Sequence, residues 1–128
     1  MSVKSLCTQY LNALNEGDIA QVLSLFTVDG TVSSPLYGEK NVAQFYEELF
    51  ADTARSDTRL LHVYDSTELQ DSVALHFEYK WTLSSGELVT FECVDVFYLS
   101  EDKSLFSSLK IIYDTAPLRA EFEKLSKG

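Results

Sequence analysis

An acid stands in an otherwise apolar strand row of this chain. A long strand is predicted from about residue 87 to residue 99, and alternate residues of a strand share one face. The face that carries Asp95 is otherwise apolar and comprises Val89, Phe91, Cys93, Phe97 and Leu99. A carboxyl group in such a row loses hydration, which raises its pKa and favours the neutral acid. Asp95 in that form can donate a hydrogen bond.

Two interpretations of Asp95 stay open on the strand pattern alone. Either it faces an interior pocket, or a β-bulge shifts the parity so that it points to water or pairs with a lysine. A second donor nearby favours the pocket. Tyr10 is a candidate, because it lies on the apolar stripe of a predicted helix, where a buried phenol needs a partner for its hydroxyl. Tyr46 is placed similarly in a later helix, although each can equally be an ordinary core tyrosine.

Three helices are predicted in the N-terminal part of the chain. The first stops at Gly17, and its apolar stripe comprises Val3, Leu6, Tyr10 and Leu14. Asp18 and Gln21 form a capping-box pattern that opens a short second helix, which we expect to end at the turn Asp29-Gly30. The apolar face of this second helix comprises Ile19, Val22, Leu23 and Phe26. After a short strand at 31–34, helical spacing returns at Val42, Phe45, Tyr46, Leu49 and Phe50.

The spacing changes from helical to alternating at about Arg59. The clearest alternation predicts a strand whose buried face comprises Val73, Leu75, Phe77, Tyr79, Trp81 and Leu83. The strand of Asp95 and a last strand ending near Asp114 complete an antiparallel meander, and Pro117 opens a predicted C-terminal helix. Helices followed by a strand meander indicate an α+β fold, in which a curved sheet folds over the helices and encloses a pocket.

Composition narrows the classes of partner. The chain has 128 residues, of which 45% are hydrophobic, and we expect one domain over 1–128. A formal net charge of -10 argues against nucleic acid and anionic membranes as partners. The first twenty residues lack the unbroken apolar core of a secretory signal, so we expect a cytoplasmic protein. Cys7 and Cys93 are expected to be reduced, packed thiols.

No metal or cofactor is expected. His62 and His76 are isolated on strands, and the pattern supplies no further ligands beside them. The sequence also lacks a glycine-rich phosphate loop and the elbow motif of serine hydrolases.

Several segments together resemble a known family, the bacterial ketosteroid isomerases. They are Tyr10 to Asp18 (YLNALNEGD), Leu25-Phe26, Gly30 to Pro35 (GTVSSP), Phe45-Tyr46, Phe77-Glu78-Tyr79 and Val94-Asp95. The likeness runs in the same order up to about Asp114. Its opening segment is shared by the wider NTF2-like superfamily, which includes SnoaL-like polyketide cyclases. The resemblance therefore implies an NTF2-like cone with a pocket inside.

The resemblance also implies roles for individual residues. In the isomerases, a tyrosine of the first helix and an aspartic acid of a long strand form the oxyanion hole, and a second tyrosine supports the first. Carried over, this implies Tyr10 and Asp95 as donors and Tyr46 as the supporting hydroxyl. The residues expected to line the pocket for a ligand are Phe26, Val32, Phe77, Trp81, Phe91 and Phe97.

Ser34 departs from the isomerase pattern. The isomerases place the aspartate that moves the proton just before the proline that follows the first strand, and here Ser34 precedes Pro35. A serine hydroxyl is no general base near neutral pH unless another base activates it. Asp29, Glu39 and Asp114 are alternative carboxylates near the expected pocket rim, and each is equally explained as a turn or surface residue.

Three functions are compatible with these features. The first is an isomerase-like or cyclase-like enzyme acting on a ketone, with Ser34 at the catalytic position of the lost base. The second is a non-catalytic module that binds a small hydrophobic ligand through a carbonyl or phenol group. The third is a protein-interaction role on the same fold.

The outer face of the Asp95 strand further indicates a homodimer formed through the sheet, because it carries Val94, Val96 and Tyr98.

Overall fold

A computed structural model describes residues 2–67 and 71–116 of the chain. Within these ranges, the helices and strands follow the α+β order expected from the sequence. The elements are α1 (Val3–Glu16), α2 (Ile19–Ser24), β1 (Phe26–Ser34), β2 (Gly38–Asn41), α3 (Val42–Ala51), β3 (Thr53–Asp65), β4 (Ser72–Leu83), β5 (Leu88–Leu99) and β6 (Phe106–Ile112). The C-terminal helix predicted from Pro117 lies outside the described residues. No helix in the described ranges is long and apolar enough to cross a membrane.

The strands form a curved, open, six-stranded sheet in the order β2-β1-β6-β5-β4-β3. The expected antiparallel meander is present from β3 to β6, whereas β1 pairs with β6 in parallel. This parallel pairing places the first strand next to the last described strand, so that both lie between β2 and β5. The helices pack on one face of the sheet, so that the core lies between the two layers.

Helix α1 is capped at both of its ends, and it stops at Gly17 as predicted. The Ser2 side chain accepts a hydrogen bond from the Ser5 backbone N–H at 3.1 Å, and Gly17 ends the helix in the left-handed region at φ 66°. Its buried residues are Leu6, Cys7, Tyr10, Leu11, Ala13 and Leu14. Tyr10 therefore points into the core from a helix that is fixed at both ends.

The segment after α2 differs from the expectation. Asp18 caps α2 by accepting from the Gln21 N–H at 3.0 Å, as predicted, but Phe26 begins β1 and does not belong to the helix. The Asp29-Gly30 pair lies inside β1, where the pairing with β6 shifts register between Phe26 and Thr31. A Cβ atom on Gly30 would lie 3.0 Å from the Thr27 carbonyl oxygen, so the glycine permits a close backbone approach within this irregular strand.

Two strand segments carry no apolar pattern and were not predicted. The edge strand β2 is short and polar, and β3 begins at Thr53 instead of about Arg59. The first part of β3 points Ser56 inward, where its hydroxyl is 2.7 Å from the Tyr79 hydroxyl. Because a buried serine replaces the expected hydrophobic residue, alternation of hydropathy could not mark this part of the strand.

Strands β4 and β5 follow the predicted parity. All the inward residues of β4 are buried, namely Val73, Leu75, Phe77, Tyr79, Trp81 and Leu83. On β5 the buried residues are Cys93, Asp95 and Phe97. The two strands pair without interruption from Ser72 with Tyr98 to Thr82 with Leu88, so no bulge displaces Asp95 and the solvent-facing interpretation of that residue is wrong.

Candidate functional site

A narrow cavity lies between the helices and the inner face of the sheet. Its volume is about 40 Å³, which holds a few water molecules, whereas pockets for drug-sized ligands have about 300–1,000 Å³. Its walls are formed by Tyr10, Leu14, Ser34, Tyr37, Phe45, Leu49, Phe77, Tyr79, Trp81, Phe91, Cys93, Asp95, Ile111 and Tyr113. Any ligand larger than a few atoms must therefore displace side chains as it enters.

Asp95 contributes the one carboxyl group among the described residues of the cavity wall. It is 2% exposed, and its Oδ1 atom is buried without a hydrogen-bond partner. Burial raises the pKa of this carboxyl group well above its ordinary value of 3.8. Burial thus favours the neutral form of the acid, which has one hydrogen to donate.

Tyr10 and Tyr46 meet inside the core. Their hydroxyl oxygens are 2.7 Å apart, and either can be the donor. Tyr10 lies on the cavity wall, while Tyr46 stands behind it on α3. Burial raises the pKa of both phenols well above 10, so both stay protonated. Tyr46 can therefore supply a hydrogen to the Tyr10 oxygen and leave the Tyr10 hydrogen available to the cavity.

Ser34 lies on the cavity wall and is 7% exposed. Its Oγ atom accepts a hydrogen bond from the backbone N–H of Tyr37 at 3.5 Å, a long contact typical of a turn-forming serine. The carboxylates suggested as replacements for the base, Asp29, Glu39 and Asp114, are exposed and lie off the cavity wall. Ser34 therefore organises the turn after β1.

The turn built by Ser34 brings Tyr37 onto the cavity wall. The Tyr37 ring stands edge-on to Phe45 at a centroid distance of 5.5 Å, and its hydroxyl donates to Asp52 Oδ2 at 2.6 Å. Sequence reasoning missed both residues, because Tyr37 follows a proline in a turn and Asp52 ends a helix. Neither position has a periodic pattern that would have marked it.

The residues expected to contact a ligand fall into two groups. Phe77, Trp81 and Phe91 line the cavity. The others, Phe26, Val32 and Phe97, are buried off its wall. Phe97 stacks on Phe106 at 4.0 Å and meets the edge of the Tyr10 ring at 5.0 Å, so these aromatic side chains support Tyr10 from behind.

Two other polar groups of the cavity wall have hydrogen-bond partners within the protein. The Trp81 indole N–H donates to Thr53 Oγ1 at 2.8 Å, and the Tyr79 hydroxyl pairs with Ser56. Asp95 Oδ1, in contrast to these two groups, is buried without a hydrogen-bond partner. No cluster of three metal-ligating side chains occurs in residues 2–67 and 71–116. The rings of His62 and His76 stack on each other with a centroid distance of 5.9 Å. Both residues lie off the cavity wall, and His76 contacts Glu92.

The fold and the family model identify the class of protein. Residues 7–106 match the model of the SnoaL-like domain, and the chain therefore belongs to this family. No curated protein matches the sequence significantly. The expected NTF2-like fold is confirmed by its similarity to solved structures.

Three solved structures illustrate the similarity. A hypothetical protein with a ketosteroid isomerase-like fold from Catenulispora acidiphila, in complex with trimethylamine, has a TM-score of 0.78 at 12% identity, with 95% of each chain covered. An NTF2-like protein of unknown function from Burkholderia pseudomallei has a TM-score of 0.79 at 17% identity, covering 94% of this chain and 97% of that one. The epoxide hydrolase/cyclase-like enzyme SalBIII, with a role in pyran ring formation in the polyether salinomycin, has a TM-score of 0.73 at 18% identity, covering 87% and 89%. At these identities the likeness concerns the fold.

Proposed function

We propose that this chain binds a small, largely apolar molecule through a carbonyl or phenol oxygen, with Asp95 and Tyr10 as the hydrogen-bond donors. The observation that carries the proposal is Asp95 Oδ1, which is buried on the cavity wall without a partner. Leaving such a group unsatisfied costs about 1–3 kcal/mol. A ligand oxygen that accepts from the Asp95 carboxyl group offsets this cost.

The second donor is supported by the hydrogen bond behind it. When Tyr46 donates to Tyr10, the Tyr10 hydrogen is directed to the ligand, and the acceptor role of Tyr10 strengthens its own donation. Two donors on one oxygen favour an oxygen that carries partial negative charge, such as an enolate or a phenolate. The ligand class is therefore a ketone or a phenol.

Binding without turnover is the function that the cavity supports best. Proton abstraction from carbon needs a general base within hydrogen-bond reach of the ligand. Among the described wall residues the one carboxyl group belongs to Asp95, and its raised pKa makes it a donor and not a base. Ser34, in the position of the isomerase base, is a turn residue.

An isomerase-like or cyclase-like activity is the second candidate. The same two donors would stabilise the oxyanion of a transition state, and the fold is shared with an epoxide hydrolase/cyclase-like enzyme. A protein-interaction role is not supported by Asp95, because a buried carboxyl group cannot contact a protein partner at the surface.

The test of binding is calorimetric titration with para-nitrophenol, a compact aromatic probe that displaces side chains as it enters the narrow cavity. Asp95→Leu removes the donor and keeps the branching of the side chain, and we expect at least about tenfold weaker binding, with Tyr10→Phe showing a smaller loss. Asp95→Asn keeps an amide donor and should lie between wild type and Asp95→Leu. Asp29→Asn, at an exposed position, is the matched control. Unchanged affinity in both Asp95→Leu and Tyr10→Phe contradicts the proposal.

Catalysis is tested with a β,γ-unsaturated cyclohexenone, whose conversion to the conjugated isomer is followed by absorbance. We expect no conversion by the wild-type protein and measurable conversion by Ser34→Asp, because the new carboxylate would stand on the cavity wall. Conversion by wild type that is lost in Asp95→Leu would instead establish the enzyme.

We also propose that two copies pair through the outer face of the sheet. Tyr98 on β5 is 44% exposed, Ile112 on β6 is 47% exposed and Tyr64 on β3 is 54% exposed. Together with Val94 and Val96 they leave apolar surface where a monomer usually has polar side chains. Light scattering should give a dimeric mass for wild type and a monomeric mass for Val96→Glu, and a monomeric wild type contradicts this pairing.

A further inference from the structure

The cavity has room for a very small ligand. Its volume is about 40 Å³, and a cavity needs about 10–15 Å³ to hold one water molecule. About three or four atoms of that size therefore fit without displacing a side chain. Phe91 and Ile111 on the wall are half-buried, so the wall reaches the protein surface at these residues.

Asp95 has no positive partner in this cavity. Its Oδ1 atom is buried without a hydrogen-bond partner, and no lysine, arginine or histidine lies among the described wall residues. The whole chain has a formal net charge of -10, which attracts cations to the protein. An opposite charge within about 4–6 Å favours the ionised form of a carboxyl group. A cation in the cavity would therefore restore the charge of Asp95.

Aromatic rings surround the same space. Eight of the fourteen wall residues are aromatic, among them Phe77, Tyr79, Trp81 and Phe91 on β4 and β5. The Tyr79 ring centroid is 5.5 Å from that of Phe91 and 6.1 Å from that of Trp81. Cation–π attraction acts within about 6 Å of a ring centroid, so several rings of this narrow cavity can attract a cation inside it.

We infer that the cavity is also a site for a small ammonium ion with two or three methyl groups, with Asp95 as its counter-ion and the aromatic wall as its enclosure. Methylated ammonium ions are cations that aromatic cages recognise in proteins. This inference goes beyond the proposed function and does not depend on it. The ammonium ion pairs with the ionised form of Asp95, whereas a ketone or a phenol accepts a hydrogen bond from the neutral form.

Binding exchanges one proton for one cation. Asp95 holds a proton in the free protein, because burial raises its pKa well above 3.8, and the entering ion releases that proton to the solvent. The residues paired with Asp95 on the neighbouring strands, Leu75 and Ile111, are apolar. The other titratable groups that interact with Asp95 are thiols and phenols that stay neutral because burial raises the pKa of each, namely Cys7 and Tyr10 on α1, Tyr46 on α3, Tyr79 on β4 and Cys93 on β5. Affinity should therefore rise about tenfold per pH unit up to the folded pKa of Asp95 and level off above it.

Carbon NMR of protein labelled at the aspartate carboxyl carbons tests this inference, because it tolerates the weak binding expected of so small a ligand. At about pH 7, dimethylammonium and trimethylammonium chloride should each move the Asp95 resonance to the position of a carboxylate. Acetone, a neutral ketone of similar size, should leave the acid protonated. Sodium chloride at equal concentration controls for ionic strength, and tetraethylammonium chloride, which is too large for the cavity, controls for charge.

Variants separate the counter-ion from the aromatic wall, with binding measured on the methyl resonances of the ions. Asp95→Leu should weaken the binding of both ions at least about tenfold and remove its dependence on pH. Asp29→Asn changes the net charge by the same amount at an exposed position and should bind as wild type does. Phe91→Leu removes one ring of the wall and should weaken binding about two- to fivefold. Phe50→Leu removes a half-buried ring off this wall and should leave binding unchanged.

The outcomes separate this inference from the proposed function. If neither ion binds saturably, or if Asp95→Leu binds both as wild type does, the ammonium site is wrong, and the proposed function keeps its own test with para-nitrophenol. An Asp95 resonance that stays at the position of a protonated acid when the ions are added also overturns the ammonium site. If the ions bind through Asp95 while para-nitrophenol does not bind, the ammonium site stands and the proposed function is wrong.

Discussion

The hydroxyl oxygens of Tyr10 on α1 and Tyr46 on α3 lie 2.7 Å apart in the core, and the Tyr10 ring forms part of the cavity wall. This contact joins two helices to the site. It leaves one hydrogen of the pair for the cavity, where Asp95 supplies another. In the proposed function, the site is thus a pair of neutral donors in an apolar enclosure.

The Tyr10 and Tyr46 pair should be energetically coupled. Tyr10→Phe leaves the Tyr46 hydroxyl buried without its partner, and Tyr46→Phe does the same to Tyr10, so each should lower the free energy of unfolding by about 1–3 kcal/mol. The double variant removes both hydroxyls and should cost clearly less than the sum. Urea unfolding measures all four proteins. Additive losses contradict a direct hydrogen bond between these residues.

Asp95 should make stability depend on pH in a defined direction. Its pKa is raised in the folded protein, so above about pH 4 the folded state holds a proton that the unfolded state releases. Stability from this group is fully present below its unfolded pKa and is lost as pH rises through the folded pKa. Wild type should therefore lose stability relative to Asp95→Asn by up to about 1.4 kcal/mol per pH unit in that window.

Thermal or urea unfolding at a series of pH values measures this difference. Asp29→Asn is the matched control, because it removes one exposed acid from the same molecule. A difference between wild type and Asp95→Asn that stays constant as pH rises through this window contradicts a buried, neutral Asp95.

Gly17 should be the most sensitive residue at the end of α1. Its φ of 66° lies in the left-handed region, while a Cβ atom there would meet nothing within 4 Å. Gly17→Ala should therefore destabilise through backbone strain alone, by about 1 kcal/mol. Ligand affinity should be unchanged, which unfolding and titration of the same sample can establish. An unaltered melting temperature would show that the α1 terminus adjusts without strain.

The two thiols should be inert in the folded protein. Burial raises the pKa of Cys7 to about 12 and raises that of Cys93, which lies on the cavity wall, well above its ordinary value. Because the thiolate is the reactive form, we expect slow reaction of both with a thiol reagent near neutral pH and rapid reaction after unfolding. Fast labelling of Cys93 in native protein would instead indicate an open, hydrated cavity.

Strands with a clear hydropathy pattern were predictable from the sequence. The alternation from Val73 to Leu83 gave the correct buried face, and the same parity placed Asp95 inside. Phe26 was misplaced because an apolar residue next to a short helix fits either element, and pairing with β6 decided the outcome. The polar start of β3 is held by hydrogen bonds such as that between Ser56 and Tyr79, which leave no trace in hydropathy.

The site was only partly accessible to sequence reasoning. Tyr10 and Asp95 could be singled out because each is polar in an apolar row. Tyr37 and Asp52 could not, since they come from a turn and a helix end that meet only in the folded chain. The size of the cavity was equally beyond prediction, because it depends on how large aromatic side chains pack against one another.

The central claim, that Asp95 is a neutral donor, can be measured directly by carbon NMR of the protein labelled at the aspartate carboxyl carbons. Asp95→Asn assigns the resonance by removing it. We predict that the Asp95 carboxyl carbon keeps the chemical shift of a protonated acid at about pH 7, and that para-nitrophenol shifts it further without ionising it. A shift typical of a carboxylate at that pH would contradict the account.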